Sequence, residues 1–339
     1  MRLCDFDYDL PAELIAQTPV RPRDHSRLLV LHRDSGTVEH RRFLDLPEYL
    51  RAGDVAVFND TRVFPARLTG RREPSGGAVE ALLLREERPG VWEALVKPGR
   101  RVRVGEELSF GQQLRAKVVA RTPGGGRRLA FSSEAGVDEA LARVGEVPLP
   151  PYIRRAPEHP DDYQTIYARR RGSSAAPTAG LHFTPRMMRA LGERGVGIAW
   201  LTLHIGFATF RPIRTQEVER HEMHVEWCSV PGATAQAIED ARARGGRCVA
   251  VGTTSARALE AAARGGRARA FEGETDIFIV PGHRFRAVDA LLTNFHMPRS
   301  TLLLLVCAFA GRERVLAAYR EAVRERYRFL SFGDAMVIV

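Results

Sequence analysis

A chain of 339 residues with 44% hydrophobic side chains can bury one large core or two smaller ones without a disulfide or metal staple. Its longest apolar run, Leu302 to Ala310, is far short of the roughly 18 residues of a membrane span, and its four scattered cysteines, Cys4, Cys228, Cys248 and Cys307, lack CxxC spacing and read as reduced thiols, not as a zinc ribbon, a redox motif or a disulfide framework. The net charge is +10 and Lys97 and Lys117 are the only lysines, so the positive charge is nearly all arginine, which suits either a polyanionic partner held through bidentate phosphate contacts or a merely solvated basic surface.

The first segment, Met1 to Leu10, carries Asp5, Asp7 and Asp9 and lacks the basic-then-apolar layout of a secretory signal; a cytoplasmic protein without membrane contact is expected. The apolar stretch Asp54-Val-Ala-Val-Phe58 reads as a buried strand leading into a loop, Asn59 to Arg62. From Ala66 to Val147 the texture changes to short alternating strands, Val79 to Leu84, Val91 to Val96, Glu107 to Phe110 and Leu114 to Val119, separated by Gly- or Pro-containing turns, the pattern of a small β-barrel or β-sandwich. The glycine-rich stretch Gly70 to Gly77 and the prolines Pro148, Pro150 and Pro151 mark its edges.

After Pro148, strands and helices alternate, which favours an α/β layer on a parallel or mixed sheet. Thr184-Pro185 is a capping residue followed by proline at the first helical position, so a helix is expected to Arg194 with a stop at Gly195. A strand over Gly197 to Leu203, a helix over Ala233 to Arg244, a strand over Arg247 to Val251, a Gly-Thr-Thr turn and a helix over Ser255 to Arg264 follow. Val288 to Thr293 reads as a strand, and Ser300 caps a buried helix to Ala310. The fold class expected is a large α/β domain, residues 1–65 and 148–339, with a small all-β barrel-like domain, residues 66–147, inserted in it.

Five places carry candidate chemistry. The small-residue run through Pro177, Thr178, Ala179 and Gly180 lets a backbone approach a ligand closely, and it precedes His182 and a helix N-terminus suited to anions. His204 ends a predicted strand, where ligands bind in α/β sheets. His221-Glu-Met-His224-Val-Glu226 packs imidazoles and carboxylates together, fit for acid–base work, for two metal ligands if helical, or for a polar helix end. Gly252, Thr253 and Thr254 can offer N–H groups and hydroxyls to a carboxylate or phosphate, with Arg257 one turn on. Thr293, Asn294, Phe295 and His296 offer an amide, a ring for stacking and an imidazole. No Walker A loop or strand-borne GxGxxG is present, and no metal is expected.

These residues resemble the S-adenosylmethionine:tRNA ribosyltransferase-isomerase family of queuosine biosynthesis. The resemblance rests on Asn59-Asp-Thr-Arg-Val63, Leu149-Pro-Pro-Tyr-Ile153, Tyr163-Gln-Thr-Ile-Tyr167, Ala175-Ala-Pro-Thr-Ala-Gly-Leu-His-Phe183, Val251-Gly-Thr-Thr254, Leu292-Thr-Asn-Phe-His296 and Tyr327 to Met336, spread over nearly the whole chain. Two positions depart from its pattern: Ser174 stands for an aliphatic residue and Ala208 for a second glycine. The resemblance implies an α/β domain with an inserted β-barrel and transfer of the ribosyl part of S-adenosylmethionine onto 7-aminomethyl-7-deazaguanine at the wobble position of tRNA. It implies isomerisation to epoxyqueuosine, with adenine and methionine released and S-adenosylmethionine consumed as a substrate, so that no cofactor is needed.

His182, His204, His221, His224 and His296 are then the pool for proton transfer. Gly252, Thr253, Thr254 and Arg257 would hold the methionine carboxylate, and Phe295 would stack on a base. Arg62, Arg154, Arg155, Arg169, Arg170 and Arg171 are candidates for tRNA phosphates by clustering. A monomer is expected. An S-adenosylmethionine-dependent RNA methyltransferase and a non-catalytic RNA-binding protein are the alternatives, and the His-rich run also permits a metal hydrolase.

Overall fold

The computed structural model describes residues 1–122, 125–155, 157–206, 209 and 213–339. They form two compact units: Met1–Arg62 with Pro151–Arg170 and Ala176–Val339, and Val63–Pro150 with Arg171–Ala175. The larger unit is an α/β layer and the smaller one holds a closed six-stranded barrel, so the architecture is an α/β domain with an inserted barrel.

In chain order the strands and helices are β1 (Arg27–Leu31), β2 (Val38–Arg42), β3 (Val55–Asn59), β4 (Thr61–Val63), β5 (Arg67–Glu73), β6 (Ala78–Arg88), β7 (Val91–Lys97), β8 (Glu107–Phe110), β9 (Leu114–Arg121), β10 (Arg127–Ser132), α1 (Val137–Val144), β11 (Arg170–Ser173), α2 (Pro185–Glu193), β12 (Gly197–Leu203), β13 (Glu226–Val230), α3 (Gly232–Ala243), β14 (Cys248–Val251), α4 (Thr253–Ala262), β15 (Phe271–Thr275), β16 (Ala290–Asn294), α5 (Thr301–Ala310), α6 (Arg312–Arg324) and β17 (Ala335–Ile338). The large sheet has nine strands in the order β15-β13-β12-β3-β14-β16-β17-β1-β2. β12, β3, β14 and β16 run parallel, whereas β13 is antiparallel to β12 and β17 to β16. Every residue of β3, β14, β16 and β17 is buried, as expected of central strands covered on both faces. One core packs Phe43, Phe58, Phe183, Met187 and Leu191 against Val249, Leu292 and Val337.

Local signals account for much of this. Thr184 accepts a hydrogen bond from Met187 N–H and Pro185 opens α2, and Ser300 caps α5 through Leu303 N–H. In the barrel, β9 alternates buried and exposed residues from Leu114 to Val118, one face filling the interior with Leu108, Phe110 and Leu129.

Three local expectations change. Of the supposed loop Asn59 to Arg62, Asn59 ends β3 and Thr61 and Arg62 open β4. Thr253 and Thr254 are already helical, with Gly252 as the N-cap at φ 92, a conformation that favours glycine. His221 and His224 are not on a helix: a short 3-10 turn, Val218–Arg220, ends before them, so the helical ligand spacing considered for a metal does not exist here.

Candidate active site

The strand directions gather the sequence motifs. Because β3, β12, β14 and β16 are parallel, their carboxyl ends, Asn59, Leu203, Val251 and Asn294, lie at one edge of the sheet. β13 runs the other way and begins there with Glu226, and β1 and β17, parallel to each other, start there too, preceded by Ser26 and Asp334. This is the edge where open α/β sheets bind ligands. Ala179 also reaches it: a Cβ added to Gly252 would lie 3.5 Å from the Ala179 Cβ.

One side of this edge is closed. His182 is buried, stacked 5.0 Å from Phe43, with Ser26 Oγ 2.8 Å from Nδ1 and Asn294 Nδ2 3.1 Å from Nε2. Asn294 Nδ2 can only donate, so Nε2 accepts and Nδ1–H donates to Ser26. Asn294 is fixed further by Thr178 Oγ1, which donates to its Oδ1 at 3.0 Å, and by Leu330 O, which accepts from Nδ2 at 3.3 Å. His296 is also buried; its Nε2 meets Thr293 Oγ1 at 2.8 Å, and its backbone N–H donates to Tyr319 Oη at 3.2 Å. Burial, reinforced for His182 by Arg23 and Arg328, holds both imidazoles down to about 3, so they are neutral at any physiological pH. Phe295 is fully buried against Tyr319, Tyr327 and Phe329, a core ring whose faces are already covered. Gly180 is required by packing, since a Cβ there would fall 1.9 Å from Tyr167 Oη.

The other side is more open. His204 stacks 5.0 Å from Trp227, whose ring also carries the Arg170 guanidinium at 5.0 Å. Thr61 Oγ1 lies 2.8 Å from His204 Nδ1 and donates to Arg170 O at 3.4 Å, so Nδ1–H is the donor to Thr61 and Nε2 carries the lone pair, with no partner among the described residues. Partial burial, then the charge of Arg170, lowers its pKa to about 4 against the opposing pull of Asp60. The turn is anchored by Asn59, whose side chain exchanges hydrogen bonds with Leu203 N–H and C=O at 3.0 Å each, and by Asp60, which accepts from Thr202 Oγ1 at 2.6 Å.

Beside it lies a buried ionic network. Arg257 Nη1 pairs with Glu226 Oε2, while Glu226 Oε1 accepts from Gly206 N–H at 3.0 Å and Thr209 Oγ1 at 3.1 Å and lies 3.3 Å from His224 Nε2. Burial alone would raise the Glu226 carboxyl, but Arg257, His224 and the Gly206 N–H outweigh it and bring it to about 2; Glu226 is an anion. Arg257 Nε donates to Ile277 O at 3.3 Å, whereas its Nη2 and the Thr254 hydroxyl are buried and have no hydrogen-bond partner among the described residues. The first N–H groups of α4 have no intrahelical acceptors either, so the Gly252 turn presents donors suited to an anion. His221 packs edge-on to Phe278 at 5.3 Å, and burial, then His224, lowers its pKa. Ala208 lies outside the described residues, and Ser174 is buried with Oγ donating to Leu83 O at 3.4 Å.

Five of the six arginine candidates are exposed without any constraint from a buried acid: Arg62, Arg154, Arg155, Arg170 and Arg171. Arg169, also exposed, is tied to the buried Asp60 at 2.9 Å. Arg155 pairs with Glu158 at 3.7 Å and Arg171 with Asp138 at 3.4 Å. Sequence reasoning left out Ser26, Thr61, Thr209 and, though it noted the carboxylate, the role of Glu226. Only Glu226 had a local signal: a carboxylate opening the strand-like run Glu-Trp-Cys-Ser-Val.

The profile of the family described as queuosine biosynthesis protein matches residues 3–338. The chain belongs to this family. It is 58% identical to the S-adenosylmethionine:tRNA ribosyltransferase-isomerase of Moorella thermoacetica and 57% identical to that of Symbiobacterium thermophilum, each match covering 100% of both chains. Among solved structures it is similar to the S-adenosylmethionine tRNA ribosyltransferase of Thermotoga maritima, at 42% identity and a TM-score of 0.58, covering 99% of this chain and 100% of that one. Across the queuosine biosynthesis family match, the residues at this sheet edge all fall inside the matched span.

Proposed function

We propose that this chain is an S-adenosylmethionine:tRNA ribosyltransferase-isomerase, converting 7-aminomethyl-7-deazaguanine at the tRNA wobble position to epoxyqueuosine and releasing adenine and methionine. The observation that carries the site assignment is the convergence, at one sheet edge, of an anion-seeking helix N-terminus, a neutral imidazole with an open lone pair and a histidine–carboxylate pair. Full-length identity to enzymes of that name supports the reaction class.

The methionine carboxylate belongs at the α4 N-terminus, where the Thr253 and Thr254 N–H groups and the Thr254 hydroxyl, buried without a partner among the described residues, meet a negative charge. The sulfonium acidifies the adjacent 5′ carbon. His204 takes that proton on Nε2, its Nδ1–H held by Thr61, and its low pKa keeps it in the accepting form. The electron pair left on the 5′ carbon breaks the bond from the 4′ carbon to the ring oxygen, that oxygen forms a carbonyl with the 1′ carbon, and adenine leaves with the electrons of the glycosidic bond, taking a proton from His224, which lies 3.3 Å from Glu226. The substrate amine attacks the ribose-derived fragment, and closure of the epoxide expels methionine with its sulfur lone pair. His182 and His296 act at one remove, by holding Asn294 and the Thr293 turn.

The test is incubation with S-adenosylmethionine and tRNA carrying the deazaguanine precursor, followed by nucleoside mass spectrometry. Epoxyqueuosine with one free adenine per turnover is the expected product; S-adenosylhomocysteine instead would make the chain a methyltransferase, and no conversion would leave an RNA-binding role.

A further inference from the structure

The barrel carries a basic feature that the reaction chemistry does not use. Between β7 and β8 the chain reads Lys97-Pro-Gly-Arg100-Arg101-Val-Arg103-Val-Gly-Glu106. Arg100, Arg101 and Arg103 are exposed and, with Arg72 and Glu106, line a hollow of about 350 Å³. The hollow's carboxylate is already engaged: Glu106 accepts from Arg72 Nε at 2.6 Å and from Arg103 N–H at 2.8 Å. Among the described residues no ion pair joins a carboxylate to Arg100, Arg101 or Arg103, although Glu106 lies near enough to Arg103 to feel its charge.

The loop is also held in shape. Arg127, only 4% exposed, donates through Nε to Val102 O at 2.9 Å and through Nη2 to Gly99 O, while Nη1 bonds Gly126 O at 2.9 Å. Val102 is fully buried and plugs the loop into the barrel. A buried arginine therefore fixes the backbone that displays three more. Clustering four guanidinium groups around one carboxylate costs repulsion, and a pinned loop keeps that cost in place, as suits a surface that meets a polyanion.

We propose that the loop Pro98–Gly105 is a phosphate-backbone contact for the RNA substrate, an inference that rests on the tRNA reading above. An anionic membrane fits less well, because of the loop's valines Val102 is buried and only Val104 is strongly exposed, whereas interfacial binding needs a larger apolar face beside the charges.

The experiment compares the wild-type chain with R100A/R101A/R103A and with the corresponding triple lysine variant, titrating precursor tRNA at saturating S-adenosylmethionine from 50 to 200 mM salt. The alanine variant should raise the KM for tRNA about a hundredfold at the lower salt, narrowing to about tenfold at the higher, with kcat and the KM for S-adenosylmethionine within about twofold. Its log KM against log salt should flatten by about 2, since each lost phosphate contact removes roughly 0.7 to 0.9 from the slope, and the lysine variant should lie close to wild type. An unchanged tRNA KM and slope would overturn the proposal. So would an unchanged tRNA KM with loss of binding to phosphatidylserine vesicles, which would make the loop a membrane contact. If wild type fails to convert tRNA, the functional reading falls; direct filter binding of tRNA to the same variants then decides the loop's role separately.

Discussion

His182 and His204 stand at the same edge of one sheet, both neutral, yet their surroundings differ. Both nitrogens of His182 are bound by protein groups, whereas His204 has one nitrogen oriented by Thr61 and the other free among the described residues. The same residue type is thus a fastener in one place and a proton acceptor in the other. The difference lies in the count of satisfied ring nitrogens, because a lone pair already accepting a hydrogen bond is not available to a substrate proton.

The largest expected effect comes from the support of the open side. Arg257→Ala leaves the Glu226 anion buried without its partner and should cost about 3–5 kcal/mol in stability, read as the denaturant midpoint; a loss under about 1 kcal/mol would mean that water or His224 replaces the guanidinium. His204→Ala should leave the fold nearly unchanged but lower kcat by about 10²- to 10⁴-fold. Wild-type turnover in that variant would remove His204 from the chemistry.

His182→Ala should show the opposite balance, costing about 2 kcal/mol or more because it strands the Asn294 amide and Ser26 hydroxyl in the interior, and lowering turnover through misplacement of Asn294. If His182→Ala is fully stable yet as inactive as His204→Ala, the closed side is catalytic after all. Stability should also depend on pH. The buried His182 and His296 sit near 3 when folded against 6.5 when unfolded, so the unfolded chain takes up protons first as pH falls. Their contribution is complete above pH 6.5 and is lost as pH falls toward 3. Glu226, lowered from 4.5 to about 2, likewise contributes above pH 4.5 and loses that contribution below it. Urea midpoints should therefore already decline between pH 6.5 and 4.5, and His296→Gln should flatten that decline.

Elements framed by local chemistry were legible. β12 runs over Gly197–Leu203 and β8 over Glu107–Phe110, the bounds expected for each, and Thr184 and Ser300 cap the helices they announce. β13, β15 and β17 were not read, because β13 opens on a buried glutamate, β15 mixes exposed charges with glycine, and β17 is a four-residue apolar run whose place between β16 and β1 depends on pairing with distant strands. The site divided in the same way. His204 and the Gly252 turn were visible as chemistry at strand ends, but Ser26, Thr61 and Thr209 are ordinary hydroxyls until folding sets them against histidines.

By itself the order of residues determined which side chains are available at the ends of β12, β14 and β16, since strand and cap signals act over a few neighbours. Which imidazole is sealed and which is open was decided only in three dimensions. Burial and the pairing of each ring nitrogen depend on residues as far apart as Ser26 and His182, or Thr61 and His204, and no local pattern encodes that meeting.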